Sequence, residues 1–350
     1  MVGLNQLGGW GGILGRLTSR GDLTAEEAAT VLSELLDGHA TSAQAAALLI
    51  ALKMKGETPE EVEGLVAAMV AHATTVRAPE GAVDIVGTGG DRSGSINVST
   101  MASLVVAGAG VPVVKHGNRA ISSQVGAADV LEGLGVTIEL SARGVEACIA
   151  EAGMGFCFAQ RFHPAMATIG PVRRELLVPT IFNVLGPLAN PAQVRRQLVG
   201  VADPSRARLV AEVLARQGSE RATVVYADDG LDEVTLTGSS TLLELERQGP
   251  GWTLTERRLD PRDHGFELVG PDALRGGTLE RNVAVVRAVL EGQPGPHRDV
   301  VLLNAAVALI DAGRVASVDA GLELAAASID EGRAGAVLER LVAVSGRAED

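Results

Sequence analysis

The sequence predicts an α/β protein in which an all-helical start precedes a mainly parallel central sheet. Strand-like and helix-like segments alternate between residues 82 and 160, a rhythm typical of βαβ units with right-handed crossovers. Before them, residues 16–75 contain helix-start signals and no strand-like segment. Hydrophobic residues make up 46% of the 350 residues and aromatic residues only 2%, so we expect an aliphatic core.

The helical start is marked by capping boxes, in which side chains satisfy the free N–H groups of a helix N-terminus. The pairs are Thr24 with Glu27, Thr41 with Gln44, and Thr58 with Glu61, the last with Pro59 at the first helical position. Residues 1–14 are glycine-rich and lack the basic stretch and cleavage site of a signal peptide, so we expect a loose start. A domain boundary is predicted near residue 78.

Strands and helices alternate in the α/β part, apart from an interruption at 161–192 with helical pieces at 164–169 and 172–177. The predicted strands are 83–86, 111–114, 136–139, 155–159, 197–202, 222–227 and 252–258. The predicted helices are 98–108, 125–134 and 142–152, one that starts at Pro204 after Asp203, and two to four within 277–346.

Charge and composition exclude several classes of protein. A net charge of −13 argues against a protein whose main task is to bind nucleic acid, although local positive groups can still bind phosphate. The longest nearly unbroken apolar run, 101–114, is too short to span a bilayer. Cys148 and Cys157 lie in apolar sequence without metal-ligand spacing, so we expect buried free thiols. The sequence therefore predicts a cytoplasmic protein without a membrane segment.

Two predicted strands each end in a polar loop that contains glycine. The first loop is Gly87-Thr88-Gly89-Gly90-Asp91, and the helix start after it carries Ser95, Asn97, Ser99 and Thr100. Ligands of parallel sheets bind outside the carboxyl ends of strands, and a helix N-terminus favours anions. A purely geometric turn is the alternative, and the loop matches neither the dinucleotide fingerprint nor a Walker loop. The hydroxyl and amide side chains behind it favour a phosphate-binding site.

The second loop follows the predicted strand 111–114. It reads Lys115-His116-Gly117-Asn118-Arg119, with Ser122 and Ser123 shortly after. A solvated charged turn is the alternative here, but the apolar strand before Lys115 places that ammonium group where a sheet would meet its ligand. A compact positive charge of this kind suits phosphate.

The residues alone do not decide the role of three other positions. Asp232-Glu233 is either a solvated loop or a pair of Mg²⁺ ligands, since Mg²⁺ takes a few carboxylates together with water and substrate phosphates. Arg173 and Arg174 are either surface residues or a planar fork for a carboxylate. His163 is undecided.

Taken together, these motifs resemble those of the anthranilate phosphoribosyltransferases. The resemblance rests on the two loops above, on Phe182-Asn183-Val184-Leu185-Gly186-Pro187-Leu188, on Gly230-Leu231-Asp232-Glu233-Val234, on Leu23-Thr24-Ala25-Glu26-Glu27-Ala28 and on Lys55-Gly56-Glu57-Thr58. They cover nearly the whole chain in order.

The resemblance implies a fold of the nucleoside phosphorylase/phosphoribosyltransferase two-domain type. Residues 1–78 with the inserted segment 168–190 would form a small helical domain, and residues 79–167 with 191–350 a large α/β domain. It further implies a homodimer formed through the helical domain and a hinge between the domains.

The resemblance also implies the reaction and its residues. The amine of anthranilate attacks 5-phosphoribosyl 1-pyrophosphate, and about two Mg²⁺ ions take part, one carried with the donor. The donor would contact Gly87, Gly90, Asp91, Ser95, Asn97, Val98, Ser99, Thr100, Lys115, His116, Gly117, Asn118, Arg119, Ala120, Ile121, Ser122, Ser123 and Ala127. Anthranilate would contact Gly87, Asn118, His163, Arg173, Gly186 and Pro187, and Mg²⁺ would use Ser99, Asp232 and Glu233. The catalytic residues would be Lys115, Asn118 and Arg173.

Departures from the family pattern and two rival functions complete these expectations. Val125 and Ala127 stand where hydroxyl side chains are common, and Pro179 where arginine is frequent. The rivals are a catalytically silent relative that binds nucleic acid and a pyrimidine nucleoside phosphorylase of the same architecture. The first should be basic and should have lost its Mg²⁺ and acceptor residues, and the second should carry a different glycine loop.

Overall fold

A seven-stranded sheet forms the centre of the computed structural model, which describes residues 2–120 and 124–348. The strands are β1 (Val83–Gly87), β2 (Val113–Gly117), β3 (Met154–Phe158), β4 (Arg196–Gly200), β5 (Arg221–Ala227), β6 (Ser240–Gln248) and β7 (Gly251–Leu259), in the order β3-β2-β1-β4-β5-β6-β7. The first five are parallel and the last two join them antiparallel, which confirms the predicted, mainly parallel sheet.

The strand order creates a switch point at the middle of the sheet. The chain runs outward from β1 through β2 to β3 and then returns to β4 on the other side of β1. The loops that leave β1 and β4 therefore diverge at the carboxyl edge. This is where ligands bind in open α/β sheets.

Helices supply the remaining layers. They are α1 (Gly9–Thr18), α2 (Ala25–Leu36), α3 (Ser42–Lys55), α4 (Pro59–Ala71), α5 (Val98–Gly108), α6 (Ala127–Gly133), α7 (Ala142–Ala152), α8 (Ala159–Phe162), α9 (Gly170–Leu176), α10 (Phe182–Leu188), α11 (Pro204–Arg216), α12 (Leu279–Leu290), α13 (Pro296–Asp311), α14 (Val318–Asp330) and α15 (Arg333–Ser345). All three predicted capping boxes are present at the starts of α2, α3 and α4. No helix in the described part of the chain is long and apolar enough to cross a membrane.

The sheet separates two hydrophobic cores. One core contains α1–α4 together with α9 and α10, and it continues onto α11 and one face of β4–β6. The other core lies between the sheet and the helices α5–α7 and α12–α15. The segment around α9 and α10 thus packs with the N-terminal helices, although it is distant from them in sequence. Cys148 and Cys157 are buried free thiols, as predicted.

Three sequence expectations need correction. Residues 136–139 form no strand; Val136 and Ile138 are buried, but the segment is not paired in the sheet. The strand β6 was missed, because its Leu- and Glu-rich sequence lacks the β-branched residues that mark strands. The glycine-rich start was expected to be loose, yet α1 is helical because Ile13 and Leu17 are buried in the helical core.

A buried carboxyl group lies at the C-terminal end of α13, away from the carboxyl edge of the sheet. Asp311 is 2% exposed and accepts a hydrogen bond from Thr223 Oγ1 at 2.9 Å. Its Oδ2 has no hydrogen-bond partner among residues 2–120 and 124–348. Burial raises the pKa of Asp311 well above its ordinary value, although the hydrogen bond from Thr223 opposes this shift.

Asp311→Asn should therefore become more stable relative to the wild type as the pH rises. The folded wild type retains a proton that the unfolded chain releases above about pH 4, so this carboxyl lowers the free energy of unfolding as the pH increases. The difference in free energy of unfolding should grow in favour of the variant by up to about 1.4 kcal/mol per pH unit. Urea denaturation of both proteins at about pH 4.5, 6 and 8 measures it. A difference that does not change with pH would contradict the assignment.

Candidate active site

Two glycines at the carboxyl edge create the space for an acidic residue. Gly87 ends β1, Gly200 ends β4, and the two are register partners. A Cβ atom on Gly87 would lie 2.4 Å from Asp232 Oδ2, and one on Gly200 would lie 1.6 Å from the carbonyl oxygen of Asp232. Asp232 therefore fits against the ends of these two neighbouring strands only because both positions lack a side chain.

Asp232 and Glu233 accept backbone hydrogen bonds from the predicted phosphate-binding region. Asp232 Oδ2 accepts from the N–H of Gly89 at 2.7 Å, and Glu233 Oε1 accepts from the N–H of Ser99 at 3.2 Å, in the first turn of α5. Burial, with repulsion from Asp91, raises the pKa of Asp232 to about 7. Burial, with repulsion from Asp232, raises the pKa of Glu233 to about 8. Ionised carboxylates here would be stabilised by a cation.

This donor set suits Mg²⁺ better than a metal that requires a complete protein cage. Three or more His, Cys, Asp or Glu side chains do not converge as a metal site anywhere in the described chain. Mg²⁺ is commonly held by one or two carboxylates, with water and substrate phosphates completing its shell. The acidic pair with raised pKa values fits that pattern.

Lys115 brings the positive charge to the same region. It is 2% exposed, and its Nζ donates to the carbonyl oxygen of Ile85 on the neighbouring strand. Burial lowers the pKa of Lys115, and attraction to Asp84, Glu233 and Asp232 opposes this shift. Asp84 is itself buried and accepts from the N–H of His116 and from Asn190, and burial raises its pKa to about 6.

The glycine loop after β1 is held by contacts from distant segments. Gly89 and Gly90 have φ angles of +65° and +82°, which a side chain would disfavour. Asp91 accepts from the N–H and the hydroxyl of Ser93, and Ser95 pairs with Arg275 in an antiparallel bridge. The loop therefore presents a defined backbone at the edge of the sheet.

Asn97 connects the two predicted donor loops through its side chain. Its Nδ2 donates to the carbonyl oxygen of Val125 at 3.0 Å, and its Oδ1 accepts from Asn282 Nδ2 at 2.9 Å. Asn282, at the start of α12, also accepts from the N–H of Gly277. Sequence reasoning missed Asn282. The one sequence feature that could have indicated this contact is the pair Gly276-Gly277 before α12. A side chain at Gly276 would collide with Asn282 and with the carbonyl oxygen of Ser95.

The loop after β2 is anchored by the carboxylate of Asp129 on α6. Asp129 Oδ2 accepts from the N–H groups of Ala120 and Gly126. Arg119 forms ion pairs with Asp129 and Glu132, which raise its pKa, and its guanidinium lies 5.5 Å from the centre of the Phe158 ring. Ile121, Ser122 and Ser123, which were predicted donor contacts, lie outside the described residues.

The other predicted donor positions are found at helix starts and at the ends of strands. Val98 is buried in the core, and Thr100 is buried with a hydroxyl that has no hydrogen-bond partner within the described residues. Gly117 ends β2, Gly90 is exposed, and Ala127 begins α6. Of the three departures from the family pattern, Val125 offers its carbonyl oxygen to Asn97, and Pro179 offers its own to Lys53.

A cavity of about 220 Å³ opens beside this edge, between the sheet and the segment around α9 and α10. All six residues predicted to contact the acceptor line it: Gly87, Asn118, His163, Arg173, Gly186 and Pro187. The lining also includes Met69, Gln160, Met166, Phe182 and Asn183, which sequence reasoning did not assign. Met69 and Met166 come from separate helical segments, and no sequence motif marks them as neighbours.

Arg173 supplies the positive charge of this cavity. Its guanidinium lies 5.1 Å from the centre of the Phe182 ring, and burial lowers its pKa. No ion pair of Arg173 occurs within residues 2–120 and 124–348, whereas Arg174 next to it is exposed and does not line the cavity. Arg173 thus lines the cavity and Arg174 does not, whereas the residues alone had left both arginines open between a surface position and a carboxylate site.

Two buried histidines form another part of the cavity wall. The ring centres of His116 and His163 are 5.1 Å apart, and His116 Nδ1 is 3.0 Å from the carbonyl oxygen of Gly186. Burial lowers the pKa of His116 to about 3 and also lowers that of His163, so both rings are neutral at pH 7. His116, which the sequence analysis assigned to the donor, has its ring beside His163 in the cavity wall.

Comparison with known proteins identifies the families whose models match this chain. Residues 79–335 match the model of the glycosyl transferase family α/β domain, and residues 12–73 match that of the helical bundle domain of the same family. The anthranilate phosphoribosyltransferase of Rhodopseudomonas palustris strain HaA2 is 50% identical over 96% of this chain and 98% of its own. That of Thermomicrobium roseum is 52% identical over 96% and 97%.

Solved structures of anthranilate phosphoribosyltransferases resemble this chain over nearly its whole length. The crystal structure of anthranilate phosphoribosyltransferase from Thermus thermophilus aligns with a TM-score of 0.89 and 41% identity, covering 95% of this chain and 99% of that one. The Saccharomyces cerevisiae enzyme in complex with PRPP and Mg aligns with a TM-score of 0.86 and 26% identity, covering 95% and 96%.

The packing around Asp232 predicts that Gly200→Ala destabilises the fold. The new Cβ atom would overlap the Asp232 carbonyl, and relief of this overlap requires the acidic loop to move. Overpacking of this kind lowers the free energy of unfolding by about 1–3 kcal/mol or more. Gly335→Ala is the matched control, because no atom lies within 4 Å of the added Cβ on α15. Urea denaturation compares the two variants, and equal stabilities would contradict the packing argument.

Proposed function

This chain belongs to the anthranilate phosphoribosyltransferase family, and on that premise we propose how its residues divide the work of the reaction. The enzyme transfers the phosphoribosyl group of 5-phosphoribosyl 1-pyrophosphate to the amine of anthranilate, a step of tryptophan biosynthesis. One observation carries the assignment of residues. The six side chains and backbone positions expected for the acceptor line a single cavity beside the glycine loop.

The acceptor binds in the cavity of about 220 Å³, with its carboxylate on Arg173. A guanidinium fork without a carboxylate partner in the described chain is suited to bind such a group. Phe182, Met69 and Met166 supply apolar contact for the aromatic ring, and the backbone of Gly87, Gly186 and Pro187 completes the lining. Asn118 lies where the cavity meets the donor loop. The neutral rings of His116 and His163 leave the cavity free of a second positive charge that would compete for the carboxylate.

The donor binds at the carboxyl edge of β1 and β2. The backbone of the two loops offers hydrogen bonds to phosphate oxygens, and the positive end of the α5 dipole favours an anion there. The N–H of Ser99 is held by Glu233 in this structure. Lys115 adds positive charge beneath them. The donor contacts assigned from the sequence are part of this proposal, with the side chain of Asn97 acting as a bridge between the loops.

Mg²⁺ is part of the same proposal, with Asp232, Glu233 and Ser99 as its residues and about two ions in the complete site. The related yeast enzyme was solved with PRPP and Mg, which supports the use of Mg²⁺ here. When bound, Mg²⁺ supplies positive charge that offsets the charge growing on the departing pyrophosphate. The acidic pair would then be ionised and would orient the donor at the edge of the sheet.

The chemistry requires positioning more than proton transfer. The nitrogen of anthranilate is an arylamine, neutral at pH 7, and it forms a bond to the anomeric carbon as the bond from that carbon to pyrophosphate breaks. The amine then loses one proton, which gives N-(5-phosphoribosyl)anthranilate and pyrophosphate. Arg173 and Asn118 hold the acceptor against the donor, and Lys115 stabilises the negative leaving group. Movement of the helical domain toward the sheet would exclude water from the reacting carbon.

The larger organisation of the protein is also proposed. Residues 1–78 with 168–190 act as the helical domain, supported by their shared core, and residues 79–167 with 191–350 act as the α/β domain. A homodimer forms through the helical domain, where Met54, Leu177 and Val178 are exposed apolar side chains. We also keep the cytoplasmic location that the sequence predicts. The rival functions are not favoured, because Lys115, Arg173, Asp232 and Glu233 are all retained and the relatives are transferases.

The proposed reaction predicts a metal-dependent loss of anthranilate fluorescence. Fluorescence should fall only when the protein, 5-phosphoribosyl 1-pyrophosphate and Mg²⁺ are all present, and excess EDTA should stop the fall. Restoring Mg²⁺ should restart it. Full turnover in excess EDTA would overturn the metal assignment alone. Absence of turnover by folded protein that still binds the donor would overturn the transferase assignment.

Arg173→Ala should weaken the binding of anthranilate selectively. A hydrogen bond to a charged group contributes about 1.5–3 kcal/mol, so KM for anthranilate should rise by about 10–150-fold. KM for the donor should stay unchanged. Arg174→Ala is the matched control, since the neighbouring arginine is exposed and lies outside the cavity. Steady-state kinetics measure both constants. An unchanged anthranilate KM in Arg173→Ala, or equal increases in both variants, would remove Arg173 from the acceptor site.

A further inference from the structure

A buried asparagine on α13 holds the backbone directly after the acidic pair. Asn304 is 0% exposed. Its Oδ1 accepts from the N–H of Val234 at 2.9 Å, and its Nδ2 donates to the carbonyl oxygen of the same residue at 2.8 Å. The second Nδ2 hydrogen donates to the carbonyl oxygen of Val300, one turn earlier in α13, at 2.8 Å.

These three bonds fix the side chain completely. An asparagine amide has two donor hydrogens, and both are used here, together with its carbonyl oxygen. The bond to Val300 locks the amide against its own helix, and the other two pair it with one backbone residue as a neighbouring strand would. The position of Val234 is therefore set by α13, although Asn304 is 70 residues further along the chain.

The hydrogen bonds of Asn304 also constrain the acidic pair, because Val234 directly follows Glu233 in the backbone. The N–H that Asn304 accepts belongs to the peptide bond between Glu233 and Val234, so this bond fixes the orientation of the Glu233 peptide group. Glu233 Oε1 meets the N–H of Ser99, and Asp232 Oδ2 meets the N–H of Gly89. The pair is thus held at three points, and Asn304 is the only one of them that lies outside the predicted donor loops.

We propose that Asn304 is a positioning residue that presents Asp232 and Glu233 to Mg²⁺. The proposal rests on the proposed function, because it takes the acidic pair as the metal ligands. Val234 is itself 0% exposed, so its N–H and carbonyl groups have no access to bulk water that could replace their hydrogen bonds to Asn304. Residues that orient metal ligands from behind typically affect metal affinity by about 10–100-fold when they are changed.

The amide group is suited to this role in a way that a carboxylate is not. In Asn304→Asp, the group would keep its shape but lose both donor hydrogens, and its oxygen would face the carbonyl oxygens of Val234 and Val300. It would also add negative charge to the interior near the acidic pair. Asn304→Ala removes the clamp without new charge, and it is the cleaner test.

The test measures metal binding separately from turnover. Mn²⁺ serves as the probe, and its binding to the full-length protein is followed by electron paramagnetic resonance in the presence of inorganic pyrophosphate. We expect Asn304→Ala to weaken Mn²⁺ binding by about 10–100-fold. In turnover assays the Mg²⁺ concentration for half-maximal rate should rise similarly, and saturating Mg²⁺ should restore most of kcat. KM for anthranilate should stay unchanged.

Ser328→Ala is the matched control for a lost buried hydrogen bond. Ser328 is 0% exposed on α14, and its hydroxyl donates to the carbonyl oxygen of Val105 at 2.7 Å. It should lower stability without a change in Mn²⁺ binding. If Asn304→Ala does not fold, Asn304→Ser replaces it, because the shorter hydroxyl side chain cannot span both groups of Val234.

The outcomes separate this inference from the proposed function. If wild-type protein binds no Mn²⁺ with pyrophosphate, the metal assignment of Asp232 and Glu233 fails, and this inference fails with it. If wild type binds Mn²⁺ and the Asn304 variants bind it equally well, only the positioning role is overturned. Equal weakening in Ser328→Ala would also overturn it, because the effect would then come from general loss of stability. Selective weakening in the Asn304 variants would establish the role.

Discussion

Burial of charge at the carboxyl edge of the sheet is the constraint on which the rest of the structure depends. Lys115, Asp84 and Asp232 are all nearly inaccessible to water, and Glu233 accompanies them. A buried ionised group is stable only when it is paired and hydrogen-bonded. The surrounding fold supplies those partners: the carbonyl oxygen of Ile85 for the ammonium group, and backbone N–H groups for the carboxylates. Burial, with repulsion between neighbouring carboxylates at Asp232 and Glu233, leaves their pKa values raised, and a bound dication would oppose this shift.

The proposed donor and acceptor halves of the site differ in charge, as the two substrates do. The donor half combines buried carboxyls, an ammonium group and backbone N–H groups, which suits a phosphorylated molecule that arrives with metal ions. In the proposed acceptor half, burial keeps the rings of His116 and His163 neutral, so that Arg173 is the one cation among the described residues that line the cavity. The protein carries a net charge of −13, so the cations that meet its anionic substrates are local ones such as Lys115 and Arg173.

Sequence patterns identified the parts of the fold and of the candidate site that depend on a short, continuous stretch of residues. The capping boxes and the glycine loop after β1 each lie within a few residues, and each was read correctly as a helix start or a strand end. The second predicted loop began too early, because Lys115, His116 and Gly117 belong to β2. The failures in the fold and in the site had different causes. Residues 136–139 have strand-like composition but no strand beside them, because tertiary placement decides pairing. Met69, Met166 and Asn282 reach the site from segments that are distant in sequence, and no spacing of residues in the sequence predicts these contacts.

The two missed asparagines show why distance in the chain hides part of an active site. Asn282 ties Asn97, at the start of α5, to the N–H of Gly277 before α12, and Asn304 ties the acidic loop to α13. Both contribute uncharged amides, each of which can donate and accept at once and adds no charge to an interior that already holds several. A further buried charge at either place would shift the balance between Lys115 and its carboxyl neighbours. A neutral clamp from the C-terminal helices fixes the loops without disturbing that balance. This accounts for amides, rather than ion pairs, behind the buried cluster of Lys115 and its carboxyl neighbours.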